Sequence, residues 1–118
     1  MMNEASVQET SEARSRRRGV VLDVRNSDEF ARGHVDGAIF MPLHAIPLRT
    51  SELDRAEIYF VVCESGARSA QACAYLAQHG YDVRSVRGGM SAWRSAGLPI
   101  ALGSVPYTHL TLPTNREV

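Results

Sequence analysis

Two short apolar runs, each ending at a polar residue and followed by turn residues and a helix start, constrain this chain more than any other feature. Val20-Val21-Leu22 stops at Asp23, and Ile58-Tyr59-Phe60-Val61-Val62 stops at Cys63. A strand that is apolar at consecutive positions, without alternation, is one covered on both faces. Sheets of that kind are mostly parallel, so the two runs predict an α/β arrangement with helices above and below the strands.

The segments between and after the runs agree with this. Asn26 or Ser27 is placed to cap a short helix over residues 28–32, which has acidic residues in its first turn and Gly33 just past its end. A further strand is expected over residues 38–41, before Pro42. Residues 69–79 are alanine-rich and stop at Gly80, which predicts a helix. Val83 and Val86 mark another short strand, and residues 90–96 form a last helix closed by Gly97 and Pro99. Strands alternating with helices through short links imply a mainly parallel sheet flanked by helices.

With 118 residues the chain has room for one small domain, expected over residues 19–102. Residues 1–18 are polar, lack aromatics and end in Arg14-Ser15-Arg16-Arg17-Arg18, so they are expected to be a disordered, solvated basic arm. Residues 103–118 fit none of the periodicity. From Pro106 onward they resemble translated sequencing-adapter read-through, and they are expected to stand outside the fold as a non-native tail.

Thirteen basic side chains balance thirteen acidic ones, so global charge points to neither a nucleic-acid nor a membrane partner. No apolar stretch approaches the roughly 20 residues of a membrane helix, and residues 1–15 lack the apolar centre of a signal peptide. A cytoplasmic protein is expected, and so small a core is compatible with a monomer. The two cysteines, Cys63 and Cys73, form no CxxC pair and have no histidine at ligand spacing, which favours reduced thiols over a metal site or a disulfide framework. His44, His79 and His109 are scattered, so neither a metal nor another cofactor is expected.

Cys63 stands where an apolar strand stops and a helix is about to begin, with Glu64, Ser65, Gly66 and Ala67 forming the turn and Arg68 and Ser69 opening the helix. Such a turn directs backbone amides inward, and the helix dipole and the Arg68 guanidinium add positive potential. A cysteine at that point is expected to have a lowered pKa and to react as thiolate. Gly66 supplies the backbone freedom that a tight cradle requires. Cys73, mid-helix among alanines, reads as a packing residue.

Three stretches together resemble the rhodanese family. Leu22-Asp23-Val24-Arg25, followed by Glu29-Phe30 and Gly33-His34-Val35-Asp36-Gly37-Ala38, is similar to the family's amino-terminal signature. Cys63-Glu64-Ser65-Gly66-Ala67-Arg68-Ser69 resembles its six-residue active-site loop and the residue after it. Gly88-Gly89-Met90-Ser91-Ala92-Trp93, with Ala96-Gly97-Leu98-Pro99, resembles its carboxyl-terminal signature. The resemblance implies a three-layer fold with a five-stranded, mainly parallel sheet. It also implies a sulfurtransferase in which Cys63 takes a sulfane sulfur as a persulfide, the amides of Glu64 to Arg68 hold the terminal sulfur, and Arg68 closes the loop. Thiosulfate or a persulfide as donor, and cyanide or a thiol as acceptor, small or carried on a protein, are further implications of the same likeness.

Asp23 and Arg25 lie at a strand end near the loop. A structural ion pair is the first reading for them and substrate contact the second. His34 reads as a turn residue and Trp93 as a core anchor. Glu64 with Arg68 leaves the loop formally neutral, which disfavours a doubly anionic donor such as thiosulfate and favours a less charged sulfane carrier. Two other functions compete. A cysteine-dependent phosphatase or arsenate reductase uses a similar cradle, but Cys63 and Arg68 enclose four residues where the Cys-x5-Arg loops enclose five. A non-catalytic rhodanese-like binding or regulatory module is the other, although such modules commonly lack the cysteine.

Overall fold

A computed structural model of the chain describes residues 3–104. Its elements run β1 (Glu4–Ala5), α1 (Val7–Ser15), β2 (Val20–Asp23), α2 (Ser27–Arg32), β3 (Ile39–Phe40), α3 (Ile46–Arg49), β4 (Ile58–Val62), α4 (Ala67–Gln78), β5 (Asp82–Val86) and α5 (Gly89–Ser95), with single 3-10 turns on either side of α3. The five strands form one sheet in the order β1-β5-β4-β2-β3, and every pairing is parallel. The two apolar runs are the central neighbours, paired in register from Val20 opposite Tyr59 to Asp23 opposite Val62.

Because successive side chains point to opposite faces, each run feeds two cores. Leu22, Tyr59, Val61 and Val83 pack with Ala72, Cys73 and Leu76 of α4 and with Ile46 of α3. Val21, Phe60, Val62 and Val86 pack on the other face with Val7 of α1 and with Met90 and Trp93 of α5. The fold is therefore the expected three-layer α/β sandwich. Trp93 is buried as an anchor, with its indole N–H donating to Pro99 O at 2.8 Å.

The structure departs from the expectation of a disordered arm at residues 3–18. Glu4 and Ala5 add the edge strand to β5, with Ser85 N donating to Asn3 O and Arg87 N to Ala5 O. Ser6 then starts a nine-residue helix through a capping box: its hydroxyl accepts from Glu9 N at 3.0 Å while Glu9 Oε1 accepts from Ser6 N at 2.7 Å. Composition misled because only a few side chains have to be buried here. Ala5, Val7 and Thr10 go under, and the rest of the segment is held by backbone pairing and by Arg14, which donates twice to Asp36 O. The segment is thus part of the domain.

The expected tail lies outside the described residues beyond Ser104, and His109 with it. Its start is not detached, since Gly103 N donates to Ala31 O at 3.0 Å. Among the described residues no helix is long and apolar enough to cross a membrane.

Candidate active site

β4 delivers Cys63 to the carboxyl edge of the sheet, where parallel α/β folds place their ligands. The turn that follows curls back over the sulfur. Gly66 adopts φ +128°, a conformation costly for any residue with a Cβ, and this aims its N–H at Cys63 Sγ at 3.0 Å. Gly66 is also the N-cap of α4, so no capping side chain competes for the amides of the first turn. The sulfur therefore faces the positive end of a twelve-residue helix. Ser69 Oγ, in that first turn, lies 3.6 Å from the sulfur, long for oxygen but in contact for the larger atom.

Cys63 is 1% exposed, so its sulfur is enclosed by the loop that follows it. Ser65 and Ala67 form the exposed rim of the loop. On the opposite side α5 supports the loop's base: Met90 N donates to Cys63 O at 2.9 Å and Ser91 N to Glu64 O at 3.0 Å. That approach requires glycine at position 89, where a Cβ would lie 2.3 Å from Cys63 O.

Arg68 does not stand alone beside the sulfur. Its guanidinium makes a two-point ion pair with Glu29 of α2, at 2.7 and 2.9 Å. The pairing holds the Glu29 carboxyl down at about 2 and raises Arg68 above its ordinary value, with the charge of Cys63 adding to the latter effect. Glu64 is likewise engaged. It accepts from Arg94 of α5 at 2.8 and 3.0 Å and from Arg25 at 3.3 Å, and Arg94 foremost lowers its pKa.

Asp23 and Arg25, 0% and 1% exposed, bind each other through paired contacts of 3.0 and 2.9 Å, and Arg25 also donates to Gly33 O at 2.7 Å. Both side chains are thus engaged within the protein, Arg25 with Asp23, Gly33 and Glu64. The net result around the loop is three carboxylates, Asp23, Glu29 and Glu64, against three guanidinium groups, Arg25, Arg68 and Arg94. The neutrality expected from Glu64 and Arg68 holds, but through different partners.

Cys73 lies on the buried face of α4, where burial first, and then the charge of Cys63, pushes its thiol up to about 12. His34, expected in a turn, instead forms an isolated antiparallel bridge with Ala101, while its ring stacks on Phe30 at 3.7 Å and Nδ1 bonds to Phe30 O. The roles of Glu29, Arg94 and Gly89 are what the residue pattern did not assign. Glu29 and Gly89 lie inside the quoted signatures and Arg94 directly follows one, yet ion pairing and close backbone approach between segments 26 to 39 positions apart leave no local spacing to read.

The rhodanese-like domain model matches residues 6–96. A sulfurtransferase of Allochromatium vinosum is 43% identical over 102 residues, covering 85% of this chain and 95% of that protein. The thiosulfate sulfurtransferase GlpE of Pseudomonas putida is 39% identical over 87 residues, covering 71% of this chain and 77% of its own length. Among solved structures, the rhodanese-related protein of Thermoplasma volcanium superposes with a TM-score of 0.81 at 30% identity, over 85% of this chain and 98% of that one. The family match begins within the segment that the composition alone assigned to a disordered arm, in agreement with the helix found there. Fold, loop and likeness together make this chain a member of the rhodanese-like domain family.

Proposed function

We propose that this sulfurtransferase moves a sulfane sulfur through a persulfide on Cys63. The observation that carries the reading is the position of Cys63 Sγ, 3.0 Å from the Gly66 N–H at the amino end of α4. An anion at that point is stabilised whether it is the attacking thiolate or the terminal sulfur of the persulfide. Relatives named sulfurtransferase support the reaction class.

The Cys63 thiolate attacks the outer sulfur of thiosulfate, a new sulfur–sulfur bond forms, the donor's own bond breaks, and its electron pair leaves with sulfite. An acceptor thiolate or cyanide then attacks the terminal sulfur and releases the Cys63 thiolate, giving an acceptor persulfide or thiocyanate. No general base is required once the thiolate is in place. Arg68, tied to Glu29, closes the loop as a fixed strut and contributes less free positive charge than a lone arginine.

The balanced charge around the loop favours a donor less anionic than thiosulfate, such as a protein-borne persulfide, as the physiological one. Both cysteines are free, and the chemistry needs Cys63 reduced, which suits a reducing compartment such as the cytoplasm. Intact-mass measurement after thiosulfate treatment tests the proposal. The protein should gain the mass of one sulfur on Cys63 and lose it to cyanide. No gain in mass from either thiosulfate or a thiol persulfide, or a gain on Cys73, would overturn the reading.

A further inference from the structure

Ser85 lies on β5 with its side chain on the α4 face, among apolar neighbours and 3% exposed. Val83, two positions earlier on the same face, is a core residue, so a hydroxyl at position 85 is unexpected from packing alone. The hydroxyl reaches Ser69 Oγ at 2.9 Å, and Ser69 is 0% exposed. Ser69 Oγ in turn touches both Gly66 O, at 3.0 Å, and Cys63 Sγ, at 3.6 Å.

Ser69 has a single proton to give. While Cys63 is a thiol, the S–H points toward Ser69 Oγ and the Ser69 hydroxyl donates to Gly66 O. With that proton spent, Ser85 must be the donor in the Ser85–Ser69 contact. When the sulfur becomes an anion it loses its proton and turns into an acceptor. The Ser69 hydroxyl then has a charged acceptor in reach and gains more from Sγ than from a neutral carbonyl. The donation from Ser85 continues through that change, polarises the Ser69 hydroxyl and strengthens its bond to sulfur.

We propose that Ser85 is a positioning residue of the sulfur-transfer site, acting through Ser69 to stabilise negative charge on Cys63. The proposal rests on Cys63 being the reacting thiol. It assigns function to a strand residue that acts on the sulfur through a second hydroxyl.

The test is the pH dependence of Cys63 alkylation by iodoacetamide, read by mass spectrometry in protein whose fold is checked by thermal melting. Ser85→Ala should raise the pH midpoint by about half a unit, the effect of losing one neutral hydrogen bond at one remove. Ser69→Ala should raise it at least as far, and the double variant should go no further than Ser69→Ala alone, because Ser85 has no route to the sulfur without Ser69. A folded Ser85→Ala protein with the wild-type midpoint, or shifts that add in the double variant, would overturn the proposal. Alkylation uses no sulfur donor. Failure of sulfur transfer would therefore leave this result standing, and a null result here would leave the transfer reaction standing.

Discussion

Glu29 and Arg68, 39 positions apart, are joined by two hydrogen-bonded contacts that fasten the reactive loop to the start of α2. Glu29 Oε1 also accepts from Asn26 N at 3.0 Å, so one carboxylate serves both as helix cap and as loop tether. The position of the loop is thereby tied to the first turn of α2.

The pH dependence of stability follows. Arg68 lowers the Glu29 carboxyl from 4.5 to about 2 in the folded protein, so the pair's contribution is complete above pH 4.5 and is lost as pH falls through 2. With 23% and 32% of the two side chains exposed, solvent screening leaves about 1–2 kcal/mol at neutral pH. Glu29→Gln should be less stable than wild type by that amount at pH 7, and the gap should close between pH 4.5 and 2. Urea titrations across this range check it. A gap independent of pH would mean that the amide variant fails for reasons of shape.

The two cysteines should separate cleanly. Cys63→Ser should abolish sulfur transfer while the protein stays folded, since a hydroxyl fits the space but is a far poorer nucleophile. Cys73→Ala should keep the activity and lose about 1 kcal/mol of stability, because that thiol is a buried packing group held neutral. Thiocyanate formation from thiosulfate and cyanide, with a thermal melt for each variant, gives both readings. Inactivity of the Cys73 variant at full stability would misplace the site.

Glu64 and Arg94 carry opposite charges at the same point of the loop mouth, so their removal should act in opposite directions on a dianionic donor. Glu64→Gln should raise kcat/KM for thiosulfate by roughly three- to tenfold and Arg94→Ala should lower it by a similar factor, both effects shrinking with added salt. If both variants lowered kcat/KM, the pair would matter as a fastening rather than as a source of charge.

Gly89 has φ +53°, and a Cβ there would meet Cys63 O at 2.3 Å and Glu64 O at 2.8 Å. Gly89→Ala should cost at least about 3 kcal/mol and displace the loop base, so activity should fall more steeply than the fraction folded. Activity measured well below the melting midpoint separates the two losses. Wild-type activity in that regime would show that α5 supports the sheet alone.

Removal of residues 1–18 should lower the melting temperature by about 10 °C or more, because it uncovers Val21, Val86 and Trp93 and unpairs β5. A solvated arm would leave the melt unchanged.

The central architecture was legible because the decisive signals are local. Val20-Val21-Leu22 and Ile58 to Val62 are buried on both faces, and the helix over residues 69–79 differs from the observed α4 only at its ends. Cys63 and its loop were legible because strand, turn and helix start are contiguous. Residues 1–18 were misread because composition averages over a segment, whereas Ser6-Val7-Gln8-Glu9 carries a capping box at fixed spacing that would have marked the start of α1. The Glu29–Arg68 and Glu64–Arg94 pairs, and the Ser69–Ser85 contact, join residues that only the completed sheet brings together. Nothing in their immediate surroundings announces a partner.

The pairing of Glu4 with Ser85 has a bearing on how the chain assembles. β1 is made before every other described strand, yet its neighbour in the sheet is the last of them, so β1 must wait through the synthesis of nearly the whole domain. Parallel pairing across that separation brings loop-closure entropy with little local reward. β1 and α1 should therefore dock late, after β2, β4 and β5 have associated. Until they do, one face of the nascent sheet exposes Val21, Phe60 and Val86 to the surrounding solution. A chaperone or a second nascent chain would encounter the protein in that interval, and misassembly would begin at the open edge of β5.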